Sequence, residues 1–257
     1  MKNIALVLIS ALLLFAGCAF GSMSGSGNPE TRQYDITGFT AVEAGWAFQV
    51  TVTRSNTYSI SVTIDDNLFD NLIVNKSGST LRIRLKAGYI YTSYTARVEI
   101  TMPDIQSIDL SGAATAQVSG FNSSKGFKAA ASGASTLTMT EMVFGGNVRM
   151  DVSGASHING SISTGGDADL SASGASFITL SGSANDLNGN ASGASHLSLD
   201  DFNVNNARID LSGASSGTVN LEGTLNADVS GASHLQYIGQ PKLGDISTSG
   251  GSGISQK

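Results

Sequence analysis

Three histidines, His157, His196 and His234, fall at one place in a repeated pattern, each four residues after the serine of a Ser-Gly-Ala tripeptide. Imidazoles can bind zinc or carry protons. In an alternating strand this position faces outward, and consecutive histidines are two repeats apart, roughly 10 Å at about 4.8 Å per repeat. Zinc holds its ligands about 2 Å from one ion, so these three cannot share a site and read as a surface ladder. Asp210 and Asp228 occupy a second recurring position, with Asn190 one repeat earlier. Spaced by about 5 Å across adjacent strands, the three are a candidate oxygen site for Ca²⁺, which takes six to eight oxygens. The Gly-Gly-x-Gly-x-Asp pattern of calcium rolls is missing, and like charges on a solvated edge are the plainer reading. Tyr89, Tyr91 and Tyr94, in the stretch AGYIYTSYT, are candidate ligand-binding aromatics on a loop. Their alternation would equally pack Tyr89 and Tyr91 against one side of a strand.

No catalytic constellation accompanies these groups. Glycan hydrolysis or lysis needs paired acids and a nearby cation in one cleft. Beyond residue 110 the cations are Lys125, Lys128, Arg149, Arg208, Lys242 and Lys257, spread over many repeats. Short repeats leave no long loops to wall a cleft. The chain therefore reads as a non-enzyme, with nothing that implies a cofactor, and a polysaccharide-active lyase or hydrolase is the alternative. Past residue 17 the chain carries 13 Lys and Arg against 20 Asp and Glu. No basic run is present, which excludes nucleic acid as a partner because phosphate contact needs clustered cations.

The elements that carry these residues follow from the repeat itself. Ser-Gly-Ala begins at Ser111, Ser132, Ser153, Ser173, Ser192, Ser212 and Ser230, and a Ser-Gly-Gly copy begins at Ser249. The spacing stays between 18 and 21 residues, which marks a solenoid. One and three residues before each serine stand mostly apolar residues such as Leu110 and Ile108 or Leu211 and Ile209. Between them stand mostly polar ones such as Asp109 and Asp210, the period of a half-buried strand. Segments after the tripeptide alternate too (His196-Leu197-Ser198-Leu199), and a third short stretch such as Phe202-Asn203-Val204 fits before the next copy. The prediction is an all-β, right-handed, single-stranded parallel β-helix of about 20 residues per coil. Ser-Gly-Ala forms its corner, where glycine takes a positive φ. Whether the alanine or the next serine points inward stays open, because the bend interrupts the period of two. Aligned serine hydroxyls could hydrogen-bond along a ladder.

Residues 111–257 are thus the repeat, and residues 31–110 its less regular first coils and cap. In the latter, Phe48 to Thr53, Tyr58 to Ile64, Leu81 to Leu85 and Ala96 to Met102 alternate as strands, Ser77-Gly78-Ser79 is a tight turn, and Asp65 to Leu72 is a short helical turn or loop. The C-terminal Ser-Gly-Ile-Ser-Gln-Lys shows no amphipathic cap, so open strand edges could stack end to end as an envelope scaffold.

Residues 1–17 read as a signal peptide, with Lys2 before an apolar run from Ile4 to Ala16 that is too short to span a bilayer. Leu14-Phe15-Ala16-Gly17-Cys18 resembles a bacterial lipobox, with Phe15 where the pattern prefers Leu. That resemblance implies lipidation of Cys18, the one cysteine, and a membrane partner held through acyl chains. Ala19 is not Asp, which by the enteric sorting rule points to the outer membrane. The Gly/Ser-rich residues after Cys18, to residue 30, read as a flexible tether.

Three stretches, GFTAVEAGWAFQVTVT from Gly38, DDNLFDNLIVNKSGSTLRIRLK from Asp65 and ARVEITMPDIQSIDLSGA from Ala96, precede the SGAS repeats in order. In these the chain is similar to the head GIN domain family of "putative autotransporter adhesins" over roughly residues 34–250. The resemblance implies a β-helical protein of the bacterial cell envelope that binds a partner, such as polysaccharide or an envelope protein, or has a structural role. It supplies no catalytic motif.

Overall fold

The structure is a computed structural model that describes residues 21–257, and in it each Ser-Gly-Ala copy occupies the same place in one turn of a β-solenoid. The apolar run and Cys18 lie outside the described residues. About eight turns recur roughly every 20 residues. Each turn contributes one strand to an 11-stranded sheet and one to a 13-stranded sheet. The first sheet holds, in spatial order, Lys242–Thr248, Thr224–Val229, Asn206–Leu211 and so on down to Ser107–Leu110 and Ala41–Ala44, all parallel. The second runs alongside from Gly253–Gln256 through His196–Val204 and Thr136–Phe144 to Gln49–Arg54.

Coils carry two long strands where the sequence suggests two or three short ones. The expected third stretch is the tail of the second-sheet strand. In Thr136–Phe144 the register shifts between Met139 and Met142, and Glu141 there takes φ 57°. A bulge of this kind bends a strand without ending it, so Met142 and Phe144 still turn inward, each 1% exposed.

The core lies between the sheets as columns of inward side chains. Ile108, Ala129, Met150 and Leu170 stack in register, and each is at most 1% exposed. At the corner the inward residue is the serine after the alanine. Ser135, Ser156, Ser176, Ser195, Ser215 and Ser233 are all buried, and the alanines are exposed. A buried hydroxyl needs a partner. Ser176 and Ser195 Oγ each donate to the carbonyl three residues back, at 2.8 Å, and so close their own corners. Contact along the ladder is longer, 3.4 Å for Ser135 to Ser156 and 3.5 Å between Ser176 and Ser195.

At the N-terminal end the topology departs from simple stacking. Ala41–Ala44 and Gln49–Arg54 form a regular coil directly beneath Ser107–Leu110 and Thr115–Ser119. The residues between them make the layer below: Thr80–Leu85 is parallel to the first of these strands and Ala96–Met102 to the second. Antiparallel strands then finish the sheets, Leu72–Ser77 on one and Ser59–Asp65 with Pro29–Gln33 on the other. The short 3₁₀ helix Asp66–Asn71 turns Leu68 and Phe69 into the core, and Arg32 lies 3.6 Å above the Phe69 ring as a cationic lid.

Residues 21–30 differ from the free tether that their composition suggests. Gly21–Ser24 pairs in parallel with Tyr89–Thr92, and Pro29–Gln33 begins the antiparallel edge. Between them the Gly27 N–H donates to Asp65 Oδ1 at 3.0 Å and Ser26 N–H to Asn67 Oδ1 at 3.1 Å. Gly/Ser chains lack intrinsic order, but side chains elsewhere can supply partners for their backbone. At the opposite end Lys242–Thr248 is exposed throughout, with Leu243 at 50% and Ile246 at 39%.

Candidate functional site

The strand ends of the first sheet and the corner serines border a groove that runs along the solenoid axis. One border is the outward residue two before each serine: Asp109, Ala130, Asp151, Ser171, Asn190, Asp210 and Asp228, held in register strand to strand. The other is the row of first corner serines from Ser132 to Ser230. The groove encloses about 710 Å³. It crosses six coil steps from Asp109 to Asp228, roughly 29 Å at about 4.8 Å per step.

Asn190, Asp210 and Asp228 are therefore neighbours, as their spacing predicts. Arg208 Nε already lies 3.5 Å from Asp210. Arg149 holds Asp151 with two hydrogen bonds, 2.9 and 2.8 Å, and Lys128 approaches the same carboxylate at 3.8 Å. Among the described residues no three His, Cys, Asp or Glu side chains gather to hold a metal ion. The wall thus offers carboxylate acceptors and hydroxyls, with Asp151 and Asp210 paired to Arg149 and Arg208 of their own strands.

The Asp109 carboxyl, at the groove's head, is held above the usual range. Burial is the larger cause and Glu43 adds to it, while Lys128 acts the other way. A raised folded-state pKa means that the folded chain keeps a proton the unfolded chain releases. That contribution to stability is present at acid pH and lost as pH rises through the raised value. Asp109→Asn removes the loss. Its guanidinium midpoint should match the parent near pH 3, exceed it as pH rises through the titration of the carboxyl, and keep a level advantage above that to pH 7. A constant difference across that range would contradict the assignment.

His157 and His196 are half-buried while His234 is exposed, and what separates the first two rings is aromatic. Phe177 lies between His157 and His196, with ring centroids 4.8 and 4.7 Å away and planes within 13°. Only the alignment of Phe177 with the histidines in the repeat signals this stack. His196 Nδ1 is buried without a hydrogen-bond partner. His234 stands two coils further on, beyond Ser216.

The three tyrosines do cluster. Tyr91 is 6.0 Å from Tyr89 and 6.2 Å from Tyr94 between centroids, and its hydroxyl donates to the Lys86 carbonyl at 2.9 Å. Burial raises the phenol pKa of both Tyr91 and Tyr94. Tyr91 and Tyr94 pack on the core, and Tyr89 stays 38% exposed. The segment thus packs through Tyr91 and Tyr94 and leaves Tyr89 at the surface. The cluster's fourth member, Trp46, is not signalled by the tyrosine stretch. It meets Tyr91 edge to face at 5.5 Å and 84°. Setting Gly45-Trp46-Ala47 on Ser111-Gly112-Ala113 would have found it as a further, degenerate corner.

Comparison with known proteins bears on fold and family. A family model described as "Putative auto-transporter adhesin, head GIN domain" matches residues 38–241. A crystal structure titled "putative adhesin" from Parabacteroides merdae is similar with a TM-score of 0.79 at 16% identity, covering 92% of this chain and 99% of that one. A "putative adhesin" from Parabacteroides distasonis gives 0.77 at 17% identity, covering 92% and 100%. A "putative lipid binding protein" from the same species gives 0.76 at 21%, covering 92% and 99%. These likenesses establish the solenoid as a fold seen in crystals. No curated protein matches the chain.

Proposed function

Since this chain belongs to the family described as "Putative auto-transporter adhesin, head GIN domain", we propose that it is a non-catalytic binding module of the bacterial cell envelope that holds an extended polymer along its axial groove. The observation that carries this reading is the groove's continuity. One column, polar at six of its seven positions and interrupted at Ala130, repeats at coil spacing, so a polymer with a similar repeat would meet comparable groups at most steps. Polysaccharide suits it best. Carboxylates paired with guanidinium groups and rows of serine hydroxyls present donors and acceptors at fixed positions, as a chain of hydroxyls requires. The names of the family and of the similar structures refer to adhesion or lipid binding, not to enzymes.

The anchor in this proposal is a lipid on Cys18, in the outer membrane. Metabolic labelling with a fatty acid should mark the parent and not Cys18→Ser, and fractionation should place the labelled chain in the outer membrane. For the groove, an array of neutral and charged glycans should retain the protein. The double variant Asp151→Ala, Asp210→Ala should lose at least tenfold in affinity, about 1.4 kcal/mol. Retention unaffected by that variant would sink the groove as the binding surface, and sugar turnover by the parent would sink the non-catalytic reading.

A further inference from the structure

We propose that the head of the axial groove is a subsite for a neutral sugar ring, with the Trp46 indole as its apolar wall. This rests on the groove reading above and names its ligand class. The first observation is a backbone one. Eight successive corners place glycine at one position, with φ between 70° and 79° from Gly112 to Gly250. Trp46 occupies the same position in the coil beneath, with φ 62°. A bulky residue in that conformation costs roughly 1–2 kcal/mol. Glycine would relieve the strain, and a large aromatic stands there instead.

The second observation is what the ring borders. A cavity of about 370 Å³ is lined by Trp46 and Ile83 together with Glu43, Arg84 and Ser111. That volume lies at the small end of ligand sites, which combine apolar walls with a few placed polar groups. A pyranose has the matching character, with an apolar C–H face and a rim of hydroxyls. The indole is buttressed from behind, because Tyr91 meets it edge-on and is itself tied to Lys86 and flanked by Tyr89 and Tyr94.

The third observation is alignment. Glu43 is in register with Asp109, and Ser111 opens the row of corner serines, so the cavity lies on the line of the groove. A neutral chain fits better than a polyanion, since Glu43 and Asp109 both stand at this entrance and Arg84 is the single cation among the lining residues. Arg82 is paired with Glu43 at 2.8 Å, and Arg149 is paired with Asp151.

Trp46 is the chain's one tryptophan, so its emission reports on this site alone. The protein is titrated with cellohexaose, mannohexaose and N-acetylchitohexaose, following both fluorescence and heat. The expected result is that at least one shifts and quenches the emission on binding, Trp46→Gly loses affinity tenfold or more, and Trp46→Phe retains most of it. Trp46→Gly introduces the residue that the other corners use, and a thermal melt verifies its fold. If a hexasaccharide binds by heat while emission stays still and Trp46→Gly binds equally, the subsite is wrong and the groove reading stands. If none of the three binds, the subsite fails together with the neutral-glycan form of the groove reading.

Discussion

A single methyl group placed on Gly154 is expected to cost the protein about 3–5 kcal/mol, at the upper end of what point substitutions do. Two independent causes act at once. With φ 76° the residue lies in the left-handed region, where a Cβ meets its own backbone. An added Cβ would also lie 2.4 Å from the Gly133 carbonyl oxygen of the coil beneath. That oxygen cannot move aside, because it accepts the Ala155 N–H at 2.7 Å, one of a series of such bonds that ties each corner to the next. Relief of the clash would have to lengthen the bond or tilt the coil, and a tilted coil uncovers the apolar columns on both sides. Gly154→Ala should therefore lower the guanidinium midpoint steeply or abolish soluble protein. Ala155→Ser, an exposed neighbour, should stay within about 0.5 kcal/mol of the parent. A Gly154→Ala chain melting within about 1 kcal/mol of the parent would show that the corners are looser than their hydrogen bonds imply. Trp46 tolerates its side chain in this column because the next layer below leaves the stacking pattern there.

The same geometry explains which features were legible in the sequence. A corner that admits only glycine, recurring once per coil, is a pattern that survives in the sequence at full strength, and so are the alternating strands that flank it. That the third short stretch continues the second-sheet strand was not legible, since a bulge such as that at Glu141 keeps one strand continuous while the hydrophobic period breaks. The identity of the inward corner residue was hidden for a related reason. Serine is polar, and only its hydrogen bond to the carbonyl three residues back makes burial at Ser176 or Ser195 acceptable. The register of Asn190, Asp210 and Asp228 and the clustering of Tyr89, Tyr91 and Tyr94 followed from spacing. The charge pairing of Arg208 and Arg149 did not, as it depends on side-chain reach within a strand. Trp46 escaped because the layer formed by Thr80–Leu85 and Ala96–Met102 is inserted between its coil and the next in sequence, although it lies below both in space. Gly27, beyond the repeat's reach, takes its order from one distant side chain.

That side chain is Asp65, and its removal is the second large effect expected. It is 1% exposed, ionisable, and placed where the N-terminal edge turns back. Oδ1 accepts the Gly27 N–H at 3.0 Å and Oδ2 the Thr95 N–H at 2.7 Å. One carboxylate thus joins the incoming chain to the segment that follows Tyr89–Thr92. Gly25 is pressed so close that an added Cβ would lie 2.5 Å from Oδ2 and 2.7 Å from the Ser93 carbonyl. Hydrogen bonds to a charged group are worth about 1.5–3 kcal/mol each, and a donor left buried and unpaired costs about 1–3. Asp65→Ala should therefore destabilise the protein by about 3 kcal/mol. Asp65→Asn should cost less, since its one carbonyl oxygen can still serve one of the two donors. The loss should also be local before it is global. Amides of Gly21–Gln33 should exchange faster in Asp65→Ala, with those of the Ser-Gly-Ala coils unchanged under native conditions. A drop in stability with no change in exchange at Gly27 and Thr95 would refute the latch. Gly21 is three residues from Cys18, at most about 11 Å of extended chain. With the latch closed, a lipid on Cys18 would hold the Trp46 end of the groove close to the membrane. With it open, about nine more residues to Glu30 could pay out, and the solenoid would stand off by roughly 30 Å at full stretch. Asp65→Ala should therefore make the N-terminal segment protease-sensitive on vesicles that carry the lipidated chain, while the parent resists.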